Sequence, residues 1–146
     1  MLRLALFLSA AVLAGCAPIS PQALRQEAGG RVEFVAQVSY QEAYRRAISQ
    51  MRRCYQGGGV IVAPTVVQGD LYTDIQRGEI SIAIMGIAGA MNTVVVDIDA
   101  AGDSSSKVTT YYWIATWAQV ADAVRLWINE RYLDCNPPLK APEPGP

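Results

Sequence analysis

SYQEAYRRAISQMRRC, residues 39–54, is the stretch on which the fold turns. Ser39 and Glu42 make a capping-box pattern, in which a hydroxyl and a carboxylate satisfy the orphan N–H groups of a helix start. From there Tyr40, Ala43, Tyr44, Ala47, Ile48, Met51 and Cys54 recur at three- and four-residue spacing, so one face of the predicted helix is apolar. Arg45, Arg46, Arg52 and Arg53 fall largely off that stripe, and Gly57-Gly58-Gly59 stops the helix. The stripe ends on a cysteine, and what that cysteine pairs with decides how the helix is placed.

Cys16 is removed from the choice by its context. Arg3 precedes an apolar core over residues 4–13, about the length of a signal h-region and too short to cross a bilayer stably. Leu13-Ala14-Gly15-Cys16 then resembles the bacterial lipobox, an aliphatic residue, two small residues and a cysteine. The resemblance implies a signal peptide over residues 1–15, cleavage before Cys16, and acylation of that residue by diacylglycerol and a further chain such as palmitate. Two or more acyl chains give stable membrane anchoring where one does not. Ala17 follows the cysteine where proteins of this class retained at the inner membrane often have Asp, which favours the outer membrane. An ordinary secretory signal with a coincidental cysteine is the bland alternative.

Cys54 and Cys135 are left as an even pair in an oxidising compartment, so a disulfide is expected between them. The closed loop is long, and the chain-entropy account gives it a stabilisation on the order of 4 kcal/mol. The chain has no histidine, which removes the commonest general base and the commonest transition-metal ligand. Its formal net charge is −1, so a nucleic-acid role has no electrostatic support.

Residues 16–30 read as a lipidated tether, because Pro18, Pro21, Gly29 and Gly30 break structure. Val32, Phe34, Ala36 and Val38 alternate with mostly polar neighbours, a strand signal. After the helix, residues 60–67 and 71–75 read as two short β pieces, with Pro64 marking an edge or bend. Ile80, Ile82 and Ile84 alternate, as do Val94, Val96 and Ile98; residues 100–106 form a hairpin loop, and 107–114 another strand. Thr116 is placed to cap a last helix whose Trp117, Val120, Ala121, Val124 and Ile128 share a face. Residues 136–146 form a proline-rich tail.

A Cys54–Cys135 bond brings the C-terminal ends of both helices together. The economical arrangement is an α+β two-layer sandwich: an antiparallel sheet of about four to five strands, in β-α-β-β-β-α order, with two helices on one face of a single domain over residues 31–135. The sheet's other face carries Glu79, Ser81, Asp97 and Asp99 and is expected to be solvated. This element order is similar to helix-grip and outer-membrane-assembly lipoprotein domains. The set Tyr44-Arg45, Cys54, Leu71-Tyr72, Trp127 and Cys135 also looks like small, mostly uncharacterised proteobacterial lipoproteins. That resemblance implies a cell-envelope location facing the periplasm and brings no catalytic residues with it.

Four features are candidate sites. Arg45, Arg46, Arg52 and Arg53 could meet head-group phosphates or an acidic partner, or be the solvated face of an amphipathic helix. Asp97 and Asp99 share a strand face and could serve acid–base chemistry or calcium, with Asp103 and residues 104–106 nearby, or be simple surface charges. The loop with Met85, Ile87 and Met91 could touch a membrane or partner, or fold over the core. The aromatic set Tyr111, Tyr112, Trp113, Trp117 and Trp127 is core, or lines a pocket. With no catalytic set, metal site or cofactor expected, the sequence points to a membrane-anchored, non-enzymatic binding or assembly module for another envelope protein. A lipid or small-molecule carrier is the alternative.

Overall fold

The computed structural model describes residues 20–57, 63–129 and 134–135. The expected signal segment, Cys16, Gly58, Gly59 and the tail over residues 136–146 lie outside the described residues. The elements are α1 (Pro21–Glu27), β1 (Gly30–Ala36), α2 (Tyr40–Tyr55), β2 (Thr65–Tyr72), β3 (Arg77–Gly86), β4 (Gly89–Gly102), β5 (Ser105–Tyr112) and α3 (Ala118–Ile128), the last entered through a 3-10 turn at Ala115–Trp117. The five strands form one antiparallel sheet in the order β1-β5-β4-β3-β2.

α2 starts where the capping pattern puts it, with the Ser39 hydroxyl accepting from the Glu42 N–H at 3.3 Å. It lies over β2, β3 and β4, while α3 lies over β1 and β5. Ala43, Ala47, Ile48 and Met51 from α2, and Val120, Val124, Trp127 and Ile128 from α3, meet Val67, Ile80, Ile82, Val94, Val96, Ile98 and Val108 of the sheet. Glycines let α2 sit close: a Cβ at Gly78 would meet the Tyr44 ring at 2.7 Å, and one at Gly69 would meet Ile48 Cδ1 at 2.1 Å. Cys54 and Cys135 are disulfide-bonded with their Cα atoms 5.2 Å apart, across 81 residues of sequence. The protein is thus an α+β sandwich with α2 and α3 on one face and one disulfide.

Five expectations need correction. The span read as a tether contains α1, because Ser20 is an N-cap whose hydroxyl accepts from Ala23 N–H at 3.1 Å and Pro21 occupies the first turn. There a proline gives up only an N–H that is orphaned anyway. α1 packs on the sheet face opposite α2 and α3, against β4 and β5, and Leu24 is fully buried. That face is therefore covered where it was expected to be wet: Ser81, Val95, Asp97 and Thr109 are buried. The element order gains α1 and a fourth strand after α2, and β3 and β4 run on through Met85, Gly86 and Gly89–Asn92 into a tight hairpin. β2 is one continuous strand from Thr65 to Tyr72, with Pro64 just ahead of it, where its missing N–H costs no ladder bond. Lastly, Thr116 lies in the 3-10 turn, and α3 begins without a side-chain cap.

Candidate functional site

Antiparallel register gathers carboxylates that are far apart in sequence. Glu33, Thr109, Asp97, Glu79 and Asp70 lie abreast across all five strands on the α1 face. The next row on that face reads Val35, Lys107, Asp99, Arg77 and Tyr72. Like charges directly opposite one another repel, so this acidic row needs cations, and three arrive. From α1 above, Arg25 donates through Nε to Asp97 Oδ2 at 2.9 Å, through Nη2 to Asp97 Oδ1 at 2.6 Å, and also to Glu79. Arg77 places Nη2 2.6 Å from Asp97 Oδ2 and Nε 3.7 Å from Asp99 Oδ1. Lys107 Nζ is 3.2 Å from Glu33 Oε2, to which the Thr109 hydroxyl also donates at 3.4 Å.

Asp97 is the hub, only 3% exposed and held at both oxygens by guanidinium groups. Its hydrogen bond raises Arg25 above the ordinary arginine value, outweighing the opposing effect of burial, with Glu79 helping. Burial is the largest single influence on Arg77 and pulls it down, yet the bond to Asp97 and the charges of Asp97 and Asp99 leave it raised. The structure does bring Asp97 and Asp99 onto one face, as the strand alternation implied. Bidentate guanidinium contact makes Asp97 the fastening point of α1 on the sheet. Among the described residues no group of three His, Cys, Asp or Glu side chains is placed to hold a metal ion.

The four arginines of α2 divide into two pairs. Glu42 is clasped by Arg45 at 2.6 Å and Arg46 at 2.6 Å, and those bonds hold its carboxyl below the usual range. Arg46 also donates to the carbonyl of Ile128 at 2.7 Å, taking up a terminal acceptor of α3. These two arginines therefore serve the helix and its packing. Arg52 and Arg53 are exposed in the last turn of α2.

That last turn sits at the end of the sheet where the β3–β4 hairpin turns. The Gly57 N–H donates to the Thr65 carbonyl at 2.9 Å and the Met85 N–H to the Pro64 carbonyl at 2.9 Å, so both meet the start of β2. Gly89, at φ +110°, allows the tight turn that other residues resist. Ile87 is wholly exposed (111%) at its tip and Met85 is exposed, whereas Met91 is half-buried. Of the three apolar candidates, Ile87 and Met85 thus point outward and Met91 turns partly in. At the same end Tyr55 packs near Trp117 and Trp127, with ring centroids 6.2 and 6.4 Å away, and burial raises its hydroxyl above the ordinary tyrosine value. Trp127 is buried, and its indole N–H donates to the Asp134 carbonyl at 3.1 Å beside Cys135.

The opposite end has its own apolar group. Leu71, Tyr72 and Ile75 are exposed around the β2–β3 turn, Ile75 at 63%. Gln22 of α1 shares a hollow of about 380 Å³ with Tyr72, Ile75 and Arg77. Arg25 did not stand out in the sequence, and Leu71-Tyr72 entered only through the resemblance. Only the register puts Glu79 opposite Asp97, and the one local hint was the Ser20-Pro21 start three residues ahead of an isolated leucine.

No family model matches the chain, and no curated protein matches it. A solved structure, a conserved protein from Geobacillus kaustophilus, is similar over 69% of this chain and 88% of that one, at 11% identity and a TM-score of 0.35. Likeness at that level carries no argument about function.

Proposed function

We propose that this chain is a lipid-anchored envelope protein that acts as a binding or assembly module, without chemistry of its own, for another protein of the envelope. Two sequence features support the anchoring: the lipobox-like Leu13-Ala14-Gly15-Cys16 and Ala17, which favours the periplasmic side of an outer membrane. The Cys54–Cys135 disulfide supports an oxidising compartment. The observation that carries the binding role is the hairpin end of the sheet. There Ile87 stands fully exposed at a glycine-built turn, at the same end as the exposed Arg52 and Arg53.

An apolar knob near cations fits an apolar hollow on a partner rimmed by carboxylates. The knob would supply affinity by desolvation, and the arginines would supply orientation and rate. Crosslinking with mass spectrometry on intact cells tests the reading. Reproducible links from the hairpin end to one envelope protein, lost in Ile87→Glu and weakened by salt, are the expected result. The absence of any neighbour above background, or links indifferent to Ile87→Glu, would contradict it.

A further inference from the structure

A second exposed apolar group lies at the other end of the sheet. We propose that the β2–β3 turn, with Tyr72 and Ile75 as its contacts, rests in the head-group layer of the phospholipid bilayer that holds the anchor. The inference rests on the proposed acylation of Cys16. The chain between anchor and fold is short. Ser20, the N-cap of α1, is four residues beyond Cys16. Four residues reach at most about 14 Å fully extended. The start of α1 is therefore kept within that reach of the acylated residue.

The direction of α1 decides which end of the sheet is held there. At its C-terminal side the Gly29 N–H donates to the Trp113 carbonyl, and Gly30 pairs with Tyr112. Further back, Arg25 meets Asp97 and Glu79, and Gln22 reaches the hollow beside Tyr72 and Ile75. The helix thus runs so that its first turn meets the β2–β3 turn. The hairpin tip at Ile87 is at the other end of β3, a ten-residue strand that spans about 30 Å. An anchor on a reach of about 14 Å brings the near end to the interface and leaves the far end clear of it.

The residues at the near end suit that place. Tyr72 combines an apolar ring with a polar tip, as interfacial residues do, and Ile75 adds an exposed aliphatic side chain. Asp74 and Asp103 lie in the two turns at this end, where Gln76 adjoins Gly102 and Asp103. Arg77 and Lys107 stand in the adjoining row, so charges of both signs border the contact and its apolar side chains carry it. Apolar contact of this kind is also insensitive to salt, unlike binding through Arg52 and Arg53.

The test uses the full-length protein made in its membrane and reconstituted in zwitterionic phospholipid vesicles. Ile75 in one sample and Ile87 in another is replaced by the photocrosslinker p-benzoylphenylalanine. The expected result is phospholipid adducts at position 75 that persist at high salt, and none above background at position 87. The mass of the N-terminal peptide is read from the same samples. Acylated Cys16 with no lipid adduct at position 75, or equal adducts at both positions, overturns this inference and leaves the anchoring intact. Unmodified Cys16 overturns both.

Discussion

Arg25 is the residue that makes a surface helix part of the domain. Its guanidinium bridges Asp97 and Glu79, two acids that face each other across β3 and β4. Removing one partner of a buried pair costs roughly 3–5 kcal/mol, because the other charge is left unpaired. Here Arg77 still holds Asp97, and water reaches part of the cluster. Arg25→Met should therefore destabilise by about 2–3 kcal/mol in denaturant unfolding, and adding Asp97→Asn should recover part of that loss. Tyr55 provides a second handle at this scale. Its hydroxyl value is raised in the folded state by burial. The stability it contributes is thus complete below the unfolded tyrosine value and lost as pH rises through the folded one. The unfolding midpoint should fall above about pH 10, less steeply in Tyr55→Phe.

At the scale of elements, α1 and α2 differ in how they announce themselves. α2 has sixteen residues, a serine N-cap and an unbroken apolar stripe, so hydrophobic periodicity alone locates it. α1 has seven residues with a single buried leucine, and a helix that short shows almost no periodicity. Proline at its start looks like a breaker until the preceding serine is seen to be an N-cap. The strands were legible for the same reason as α2: Ile80, Ile82, Val94, Val96 and Ile98 alternate to one face. What alternation cannot show is which strands are neighbours, and hence the acidic row with its arginine clamp. Leu24→Ala tests whether α1 belongs to the fold. The expected cost is about 2–4 kcal/mol by thermal or chemical unfolding, the value for a core leucine. A change within a few tenths would make residues 20–29 a loose lead.

At the scale of the whole molecule, three fasteners act on one sheet. The disulfide ties the end of α2 to the chain just beyond α3, Arg46 ties α2 to the Ile128 carbonyl at the end of α3, and Arg25 ties α1 to the opposite face. The sulfur bridge was readable from cysteine arithmetic once Cys16 was set aside, whereas the two arginine ties depend on tertiary contacts. Reduction of the bridge should lower stability by roughly 2–4 kcal/mol while leaving the helical circular dichroism of the folded protein in place. The fold also separates two surfaces along the strands, the β2–β3 turn beside the entering chain and the Ile87 hairpin at the far end.

The most direct test of a fatty anchor on a sulfur-stapled domain is the intact mass of the protein extracted from its own membranes, taken before and after reduction and alkylation. The expected result is a chain beginning at Cys16, heavier than its amino acids by the added acyl groups, with two cysteines alkylated only after reduction. A chain retaining Met1 with no acyl mass, or Cys54 and Cys135 alkylated without reductant, would contradict it.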